Sequence, residues 1–471
     1  MSVSTAISRK GPEGDRAGGR VELMHFEMSP PDQVLWVWRT LEEAGFETWM
    51  VGGAIRDTLL GRPADDWDFA TIARPKQIMS AFRRTVPIGV DHGTVGVLAP
   101  DGTLYEVTTF RRDVETFGRR AVVEFAESIK EDLARRDFTF NALAWHPDHD
   151  QLLDPWNGAG DLNEQILRTV GDPVERFAED LLRVLRALRF AGQFGLTIEA
   201  GTWRALLSAV SGLSQLSPER IQEEMMKVLS QAQRPSVALG LYAESGVFAE
   251  LYPELDIGPK EDFTPTLRAC DAAPRTRPRV RLSLIVALAS AVGDDDGDQL
   301  GDRRAIDSEE STRDARRRVI ESLMERLRFS NADTEHVAAV AASLSPAPSF
   351  AEPAVLRRWL NRVGPEHFAD ITRAWLAIAR ADGEQEKTLD VVHRINALRA
   401  ILREGTPLTI ADLALDGSDL KKMGLPPGPQ FGEILRYLLE EVLDRPEVNN
   451  RADLEDLAAQ GGFLIDASPD S

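Results

Sequence analysis

Cysteine is nearly absent from this chain of 471 residues, which has a single one, Cys270. One thiol cannot form an internal disulfide, so a disulfide-stabilised scaffold is excluded and a reducing compartment is favoured. Long apolar runs are also missing: the longest, around Leu282–Val292, is far shorter than the roughly 20 residues that span a bilayer. Residues 1–22 are mostly polar and glycine-rich, so we expect a disordered tail, not a secretory signal, and a cytoplasmic protein.

Basic residues are outnumbered, with 55 Lys and Arg against 76 Asp and Glu and a net charge of −21. This balance argues against a protein that coats nucleic acid indiscriminately, because phosphate binding requires clustered positive charge. Arginines nevertheless cluster between positions 111 and 136 and between positions 275 and 281. Such patches permit nucleic-acid contact at a defined surface, and solvated or ion-paired arginines are the alternative. The seven histidines are scattered without the spacing of metal ligands.

Short strand patterns alternate with helices in the first third of the chain. Strands are predicted at Glu47–Val51, Trp67–Thr71, Thr94–Ala99 and Leu104–Phe110, and helices at Ala54–Gly61 and Pro75–Arg84. From about Glu164 the pattern becomes helical, without convincing strands. The simplest architecture is an α/β head followed by a helical remainder, which belongs to the α+β class. Residues 293–311 are acidic and rich in Gly and Ser, which predicts a disordered loop.

The densest chemical signal lies between Met50 and Thr71, in MVGGAIRDTLLGRPADDWDFAT. Asp66 and Asp68 are two residues apart, so on a strand both carboxylates point to the same face. Two converging carboxylates repel each other unless a cation lies between them. Oxygen ligands favour Mg²⁺, and the phosphates of a nucleotide would complete its coordination shell.

Gly52 and Gly53 precede these aspartates at a predicted strand-to-helix turn. Glycines at such a turn let backbone N–H groups approach phosphate oxygens, and the helix N-terminus adds a favourable dipole. Arg56, on the first turn of that helix, is a candidate phosphate ligand, and Asp57 a candidate internal partner for it. The alternative for the glycine pair is a plain turn.

A third carboxylate is available at Glu106, within LYEVTTFRR. Alternation with a period of two puts Leu104, Glu106 and Thr108 on one face of the strand. This position suits a third metal-binding or general-base role beside the aspartates, and an exposed strand glutamate is the alternative.

Two later segments combine polar groups with apolar helix patterns. In Glu131–Trp145, Arg136, Asp137 and Asn141 form a basic, hydrogen-bonding patch, whereas the aromatic residues suit a core. In the predicted helix Phe177–Phe190, Asp180 and Arg183 are neighbours away from the buried leucine stripe. A carboxylate accepts from the amino group of cytosine or adenine, and a guanidinium donates to the adjacent ring acceptor. One Asp/Arg pair can therefore select C and A, and a surface salt bridge is the alternative.

In this order the motifs resemble those of class II tRNA nucleotidyltransferases, the CCA-adding enzymes and bacterial poly(A) polymerases of the polymerase-β-like superfamily. VGGAIRD with DDWDFAT is similar to the metal-binding motif of that family, RRDFTFNALAW to its second motif and DPWNGAGDL to its third. EDLLR is similar to the nucleotide-selecting motif and SPERIQEEMMKVL to the fifth. The likeness runs from about Phe46 to Leu229, with a weaker echo from Gly424 onward.

The resemblance implies a polymerase-β-like head with a mixed sheet and helices, followed by an all-α neck, body and tail. We place the head at residues 23–150, the neck at 151–245, the body at 246–345 and the tail at 346–471. The implied metal ligands are Asp66 and Asp68, with Glu106 as a further catalytic residue. The predicted nucleotide-binding residues are Gly52, Gly53, Arg56, Arg136, Asp137, Asn141, Glu179, Asp180, Arg183 and Arg186.

The implied activity is template-independent addition of CCA to the tRNA 3′ end from CTP and ATP, with Mg²⁺ as cofactor and pyrophosphate as product. The alternatives are CC addition, A addition, poly(A) synthesis, and a catalytically silent RNA-binding relative. The chain departs from the family in Asp113–Phe125, a short segment where relatives have a flexible loop that helps switch from C to A addition. VRLSLIVALASAV has no His or Asp where many relatives carry a phosphohydrolase segment, so we expect no second phosphatase activity.

Overall fold

The computed structural model describes residues 23–117, 120–255, 257, 263–289, 317–344, 352–425 and 428–461. The predicted tail at residues 1–22 and the predicted acidic loop at 293–311 lie outside the described residues. The chain divides into two compact units. The first comprises Met1–Glu224 and Val237–Leu251, and the second Met225–Ser236 and Tyr252–Ser471.

Strands are concentrated in the first unit. They are β1 (Leu23–His25), β2 (Thr48–Val51), β3 (Asp68–Thr71), β4 (Thr85–Gly89), β5 (Thr94–Leu98), β6 (Leu104–Thr109), β7 (Arg111–Phe117), β8 (Arg120–Phe125), β9 (Ala144–His146), β10 (Gln151–Leu153), β11 (Ile166–Leu167) and β12 (Thr197–Ile198). Eight of them form a mixed sheet in the order β1-β10-β9-β2-β3-β6-β5-β4. In this sheet β3 and β6 run parallel, and the other neighbouring strands run antiparallel.

Helices begin between these strands and continue after them. Up to residue 251 they are α1 (Asp32–Glu43), α2 (Gly53–Leu59), α3 (Pro75–Ala81), α4 (Ile129–Ala134), α5 (Gly158–Asn163), α6 (Pro173–Glu179), α7 (Leu182–Phe194), α8 (Ala200–Ala209), α9 (Pro218–Gln231), α10 (Pro235–Glu244) and α11 (Val247–Leu251). One sheet face forms a core with α1 and α3, in which Leu41, Phe69, Ile78 and Val107 are fully buried. The alternation predicted for β6 is confirmed, because Tyr105 and Val107 are buried while Leu104 and Glu106 are exposed.

The sheet is larger than the sequence patterns predict. The predicted set lacks β1, β4, β9 and β10, three of which have only three residues and therefore too little alternation to detect. β10 belongs to the sheet and begins just after residue 150, the predicted end of the head, and the predicted domain bounds stay a proposal. The expectation of no strand beyond Glu164 is also wrong in detail, since β11 and β12 form a short parallel pair.

The described residues of the second unit form helices and no strands, as predicted. Beyond residue 251 its helices are α12 (Thr264–Ala272), α13 (Pro278–Ala289), α14 (Asn331–Ala342), α15 (Pro353–Val363), α16 (Phe368–Asp382), α17 (Gln385–Arg403), α18 (Gly417–Lys422), α19 (Gln430–Asp444) and α20 (Arg451–Gln460), and residues 317–326 are also helical. Within the described segments, no helix has the length and apolar character needed to cross a bilayer. Arg281, from the second predicted arginine patch, is only 2% exposed and therefore is not part of a basic surface.

Candidate active site

The turn between β2 and α2 places the glycine pair beside Asp66 and Asp68. Gly52 has φ of +78° and is the N-cap of α2, a conformation that favours glycine. A Cβ atom added to Gly52 would lie 3.3 Å from Nη1 of Arg136 and 3.6 Å from Oδ2 of Asp68. The missing side chain therefore keeps open the space between a guanidinium and a carboxylate.

The two aspartates lie at the start of β3. Asp68 is the first residue of the strand and is half-buried, and Asp66 is exposed in the segment just before it. Asp68 also lies in register with Glu106 across the parallel β3–β6 pair. Burial raises the pKa of Asp68 to about 7, helped by the negative charges of Asp66 and Glu106 and opposed by Arg136. The structure thus brings together the three carboxylates that the sequence singled out, and their catalytic roles stay predictions.

A divalent cation fits the chemistry of this carboxylate pair. Burial and like charges destabilise the ionised form of Asp68, and a cation between Asp66 and Asp68 would offset both effects. Among the described residues, no three His, Cys, Asp or Glu side chains are grouped so that they could hold a metal ion. The three carboxylates therefore do not form a complete metal-binding cluster by themselves, and Asp66 and Asp68 stay the predicted ligands. The remaining ligands would be phosphate oxygens and water.

Asn141 connects the basic residues of the site. Its Oδ1 accepts a hydrogen bond from Nη1 of Arg56 at 3.0 Å, and its backbone carbonyl accepts from Nη1 of Arg136 at 3.2 Å. Its Nδ2 donates to Asp137 at 3.0 Å. Arg56 also forms the predicted internal pair with Asp57, at 3.0 Å. Asn141 is buried, so this arrangement is fixed from within the fold.

Asp132, which the sequence analysis missed, holds the arginine pair that follows it. Its Oδ1 accepts from Arg135 at 3.0 Å and its Oδ2 from Arg136 at 3.3 Å. Burial alone would raise the pKa of Asp132, but the positive charges of Arg135 and Arg136 hold it below its usual value. The buried Nε of Arg136 has no hydrogen-bond partner in the part of the chain that the structure describes. The position of Asp132 on α4, three and four residues before Arg135 and Arg136, was the available sequence signal.

The third motif, Asp154–Leu162, packs against the second motif. Asp154 accepts hydrogen bonds from the backbone N–H groups of Gly158 and Ala159, at 2.6 and 3.0 Å. A Cβ atom at Gly158 would lie 2.1 Å from the carbonyl oxygen of Thr139, so only glycine permits this approach. Thr139 in turn donates to Asp161 at 2.7 Å. These contacts position the segment that carries Arg136 and Asn141.

The segment predicted to select the nucleotide is not the continuous helix that we predicted from Phe177 to Phe190. The helix breaks at Asp180, whose backbone is extended, with φ of −151° and ψ of 106°. The break separates α6 from α7 and turns the side chain of Asp180 away from its expected helical position. Asp180 also accepts the backbone N–H of Leu182 at 3.0 Å, which starts the new helix.

Glu179 and Arg183 form an ion pair across this break. Arg183 also donates to the carbonyl oxygens of Arg176 and Arg135, at 2.9 and 3.0 Å. Arg183 is therefore fixed by internal acceptors, which is the geometry that an orienting role of Glu179 requires. The role in nucleotide selection stays a prediction.

Asp180 pairs with Arg220, a residue that the sequence analysis did not select although it lies in the fifth motif. One terminal nitrogen of Arg220 donates to both carboxylate oxygens of Asp180, at 3.0 and 2.7 Å. Both side chains are about one-third exposed, at 37% for Arg220 and 34% for Asp180. Asp180 is thus accessible, but Arg220 and not Arg183 is its ionic partner.

Arg186 and Asp137 attach α7 to the second motif. Arg186 donates from Nε to Oδ2 of Asp137 at 2.7 Å. Burial alone would raise the pKa of Asp137, but the charge of Arg186 and the hydrogen bond from Asn141 hold it below its usual value. Stacked rings of Phe138 and Phe140, with centroids 5.6 Å apart, complete this core. Nucleotide contact by Asp137 and Arg186 stays a prediction, since the contacts shown are internal.

Three family models match consecutive parts of the chain. The model described as "Poly A polymerase head domain" matches residues 48–168. The model described as "Probable RNA and SrmB- binding site of polymerase A" matches residues 195–257, and one for tRNA nucleotidyltransferase domain 2 matches residues 314–458.

Curated relatives agree with these matches. The CCA-adding enzyme of Limosilactobacillus fermentum is 33% identical over 453 residues, which cover 95% of this chain and 100% of that enzyme. The CCA-adding enzyme of Anoxybacillus flavithermus is 45% identical over 225 residues, which cover 47% of this chain and 56% of that enzyme. The chain thus matches some relatives over about half of their length and others throughout.

Solved structures show the same relationship. The CCA-adding enzyme of Bacillus stearothermophilus, in complex with CTP, matches with a TM-score of 0.71 and 29% identity, covering 92% of this chain and 98% of that one. The polymerase-β-like head with a helical remainder is therefore confirmed. Because the Limosilactobacillus relative is matched over its whole length at more than 30% identity, this chain belongs to the CCA-adding enzyme family of nucleotidyltransferases.

Proposed function

We propose that this protein adds C, C and A to the 3′ end of tRNA, using CTP and ATP and releasing pyrophosphate. The observation that carries the proposal is the opening at Gly52, where a Cβ atom would lie within 3.6 Å of both the Asp68 carboxylate and the Arg136 guanidinium. Such an opening suits a triphosphate beside a metal-binding carboxylate pair. The named relatives and the neighbour in complex with CTP support the same activity.

The proposed reaction is attack of the tRNA 3′-hydroxyl on the α-phosphate of the bound nucleotide. When bound, a divalent cation, which we propose to be Mg²⁺, supplies charge neutralisation and lowers the pKa of the attacking hydroxyl. Asp66 and Asp68 would hold that cation. Arg136, whose Nε lacks a partner among the described residues, would bind phosphate oxygens as the leaving group develops charge. The protein's own contribution is chiefly positioning and charge.

Nucleotide choice would reside in Asp180 and Arg183. Arg183 is held by Glu179 and two backbone carbonyls, so its remaining donor capacity has a fixed direction. Asp180 would accept from the amino group that cytosine and adenine share. Arg220 binds both oxygens of Asp180, and we propose that this ion pair fixes the direction of the carboxylate while its remaining lone pairs accept from the base.

An incorporation assay tests this function. Purified protein is incubated with tRNA lacking its CCA end, with each nucleotide singly and then with all four, and the products are sequenced. We expect two cytidines from CTP alone, and a terminal adenosine only when CTP and ATP are both present. Addition of C alone, addition of A alone, or long adenosine tracts would instead identify one of the related specialists. A complete lack of incorporation would indicate the RNA-binding alternative. A cytoplasmic location stays a prediction.

A further inference from the structure

Three exposed aliphatic side chains lie on the catalytic face of the sheet, at its β4 edge. Val86 and Ile88 of β4 are each 43% exposed, and Leu104 of β6 is 47% exposed. A Cβ atom at Gly96, on the strand between them, would lie 2.6 Å from Cδ1 of Ile88 and 3.0 Å from Cδ1 of Leu104. Ile88 and Leu104 therefore meet over a glycine. We call Val86, Ile88 and Leu104 the apolar strip.

The apolar strip is continuous with the carboxylates. Asp68 is in register with Glu106, Glu106 with Gly96, and Gly96 with Val86, so one line of residues crosses the sheet at one level. Residues in register present their side chains to the same face. Because neighbouring strands lie about 4.8 Å apart, Gly96 lies roughly 10 Å from Asp68. A single nucleotide is long enough to span that distance.

The in-line geometry of the proposed reaction predicts which reacting group lies on each side of Asp68. The opening at Gly52 lies at the end of β2, on one side of β3, and the apolar strip lies on β6 and β4, on the opposite side. In an in-line displacement the attacking oxygen approaches opposite to the leaving group. If pyrophosphate departs on the β2 side, the attacking 3′-hydroxyl comes from the β6 side. The nucleotide carrying that hydroxyl would then lie over the apolar strip.

We propose that the apolar strip binds the 3′-terminal nucleotide of the RNA primer. Ile88 and Leu104 would contact the face of its base or ribose. This inference rests on the proposed function. During addition of CCA the terminal nucleotide changes at every step, so a surface that reads hydrogen bonds would favour one step over the others. Apolar contact with a base face is tolerant of sequence, because every base has such a face.

The first test separates primer binding from nucleotide binding. We expect Leu104→Asn to raise the KM for tRNA lacking CCA about tenfold, equivalent to about 1.4 kcal/mol, and to leave the KM for CTP within about twofold. Leu389→Asn is the matched control, because Leu389 is also an exposed leucine, at 54%, and lies outside residues 195–257, which match the RNA-binding family model. Equal KM values for tRNA in the two variants, or a rise only in the KM for CTP, would overturn the proposal.

The second test does not depend on turnover. Protein with Leu104→p-benzoylphenylalanine is irradiated with end-labelled tRNA lacking CCA, beside the same replacement at Leu389. We expect a crosslink from position 104 that maps to the terminal nucleotide, and none to that nucleotide from position 389. A crosslink to a second protein copy, or to RNA far from the 3′ end, would show a different occupant and refute the proposal. Correct mapping without any incorporation would refute the proposed function alone, and incorporation without the crosslink would refute the apolar strip alone.

Discussion

At position 52 the absence of a side chain determines what the site can hold. Gly52 has a positive φ and also faces Arg136 and Asp68, so a replacement acts through both backbone strain and local crowding. These two effects can be separated, because other glycines have a similar φ without such neighbours. Gly45, with φ of +84°, has no atom within 4 Å of the Cβ that it would gain.

We therefore predict that Gly52→Ala lowers kcat/KM for CTP incorporation by at least about a hundredfold, since the methyl group would crowd the phosphate-binding opening. Gly45→Ala should retain activity within about threefold while losing roughly 1 kcal/mol of stability, the usual order of cost for a left-handed residue with a Cβ. Steady-state kinetics and urea denaturation of both variants measure this. Equal losses of activity in the two variants would show that backbone strain alone explains why position 52 is a glycine.

The ion pair of Arg220 with Asp180 gives a second prediction at this scale. A carboxylate held by a guanidinium has a defined direction, so Arg220→Gln should loosen Asp180 and reduce the preference for CTP over UTP about tenfold. The measurement is the ratio of kcat/KM values for the two nucleotides. Arg234→Gln, which breaks the Arg234–Asp271 pair of the second unit, serves as the control. An unchanged CTP/UTP ratio in Arg220→Gln would remove Arg220 from nucleotide selection.

At the scale of elements, regular patterns were predictable and interruptions were not. The alternation in β6 identified its buried face because each side chain responds to the same sheet. The break at Asp180 was missed because the sequence on both sides has helical spacing, and the interruption is local. Asp180 bonds the N–H of Leu182, and Arg220, which holds its side chain, is 40 residues away along the chain. Such a partner becomes visible only in the folded chain.

Arg281 of α13 shows how one side chain can join several helices. It donates to the carbonyls of Leu229 and Ala232 at 2.7 and 2.9 Å, near the end of α9, and to Ala273 at 2.9 Å, at the end of α12. Helix ends leave carbonyl groups without partners in the helix, and buried ones need a donor. Arg281 supplies that donor to two helix ends of the second unit.

We predict that Arg281→Met destabilises the protein by about 3 kcal/mol or more, because several buried carbonyls would lose their donor at about 1–3 kcal/mol each. Arg277→Met, at an exposed position of the same arginine patch, should change stability by less than about 0.5 kcal/mol. Urea denaturation followed by circular dichroism compares the two. A stable Arg281→Met variant would mean that water replaces the guanidinium.

At the scale of the whole molecule, an α/β head followed by a helical remainder was predictable from the sequence, but the two compact units were not. The predicted head, neck, body and tail stay a proposal for functional segments. The first unit includes Val237–Leu251, although Met225–Ser236 belong to the second. One reason is the close approach of α10 to α7, where a Cβ atom at Gly192 would lie 2.5 Å from that of Ala238. Nothing in either helix pattern alone indicates this pairing.

The net charge of −21 can also be interpreted at this scale, as it bears on where the protein can bind a polyanion. Arginines of the candidate site are held in place by buried acidic residues. Asp132, for example, accepts hydrogen bonds from Arg135 and Arg136. Local arrangement, and not net charge, therefore determines where a polyanion can bind. The proposed catalysis depends on negative groups, the carboxylates of Asp66 and Asp68.

Single-turnover incorporation of CMP into tRNA lacking CCA, compared between the unaltered protein, Asp68→Asn and Asp65→Asn, tests that dependence most directly. Asn has the shape of Asp without its charge, and Asp65 is an exposed neighbour in the same segment. We predict that Asp68→Asn lowers the rate by at least about a thousandfold while tRNA affinity changes by less than about twofold, and that Asp65→Asn remains active. Incorporation by Asp68→Asn at the unaltered rate would contradict the account.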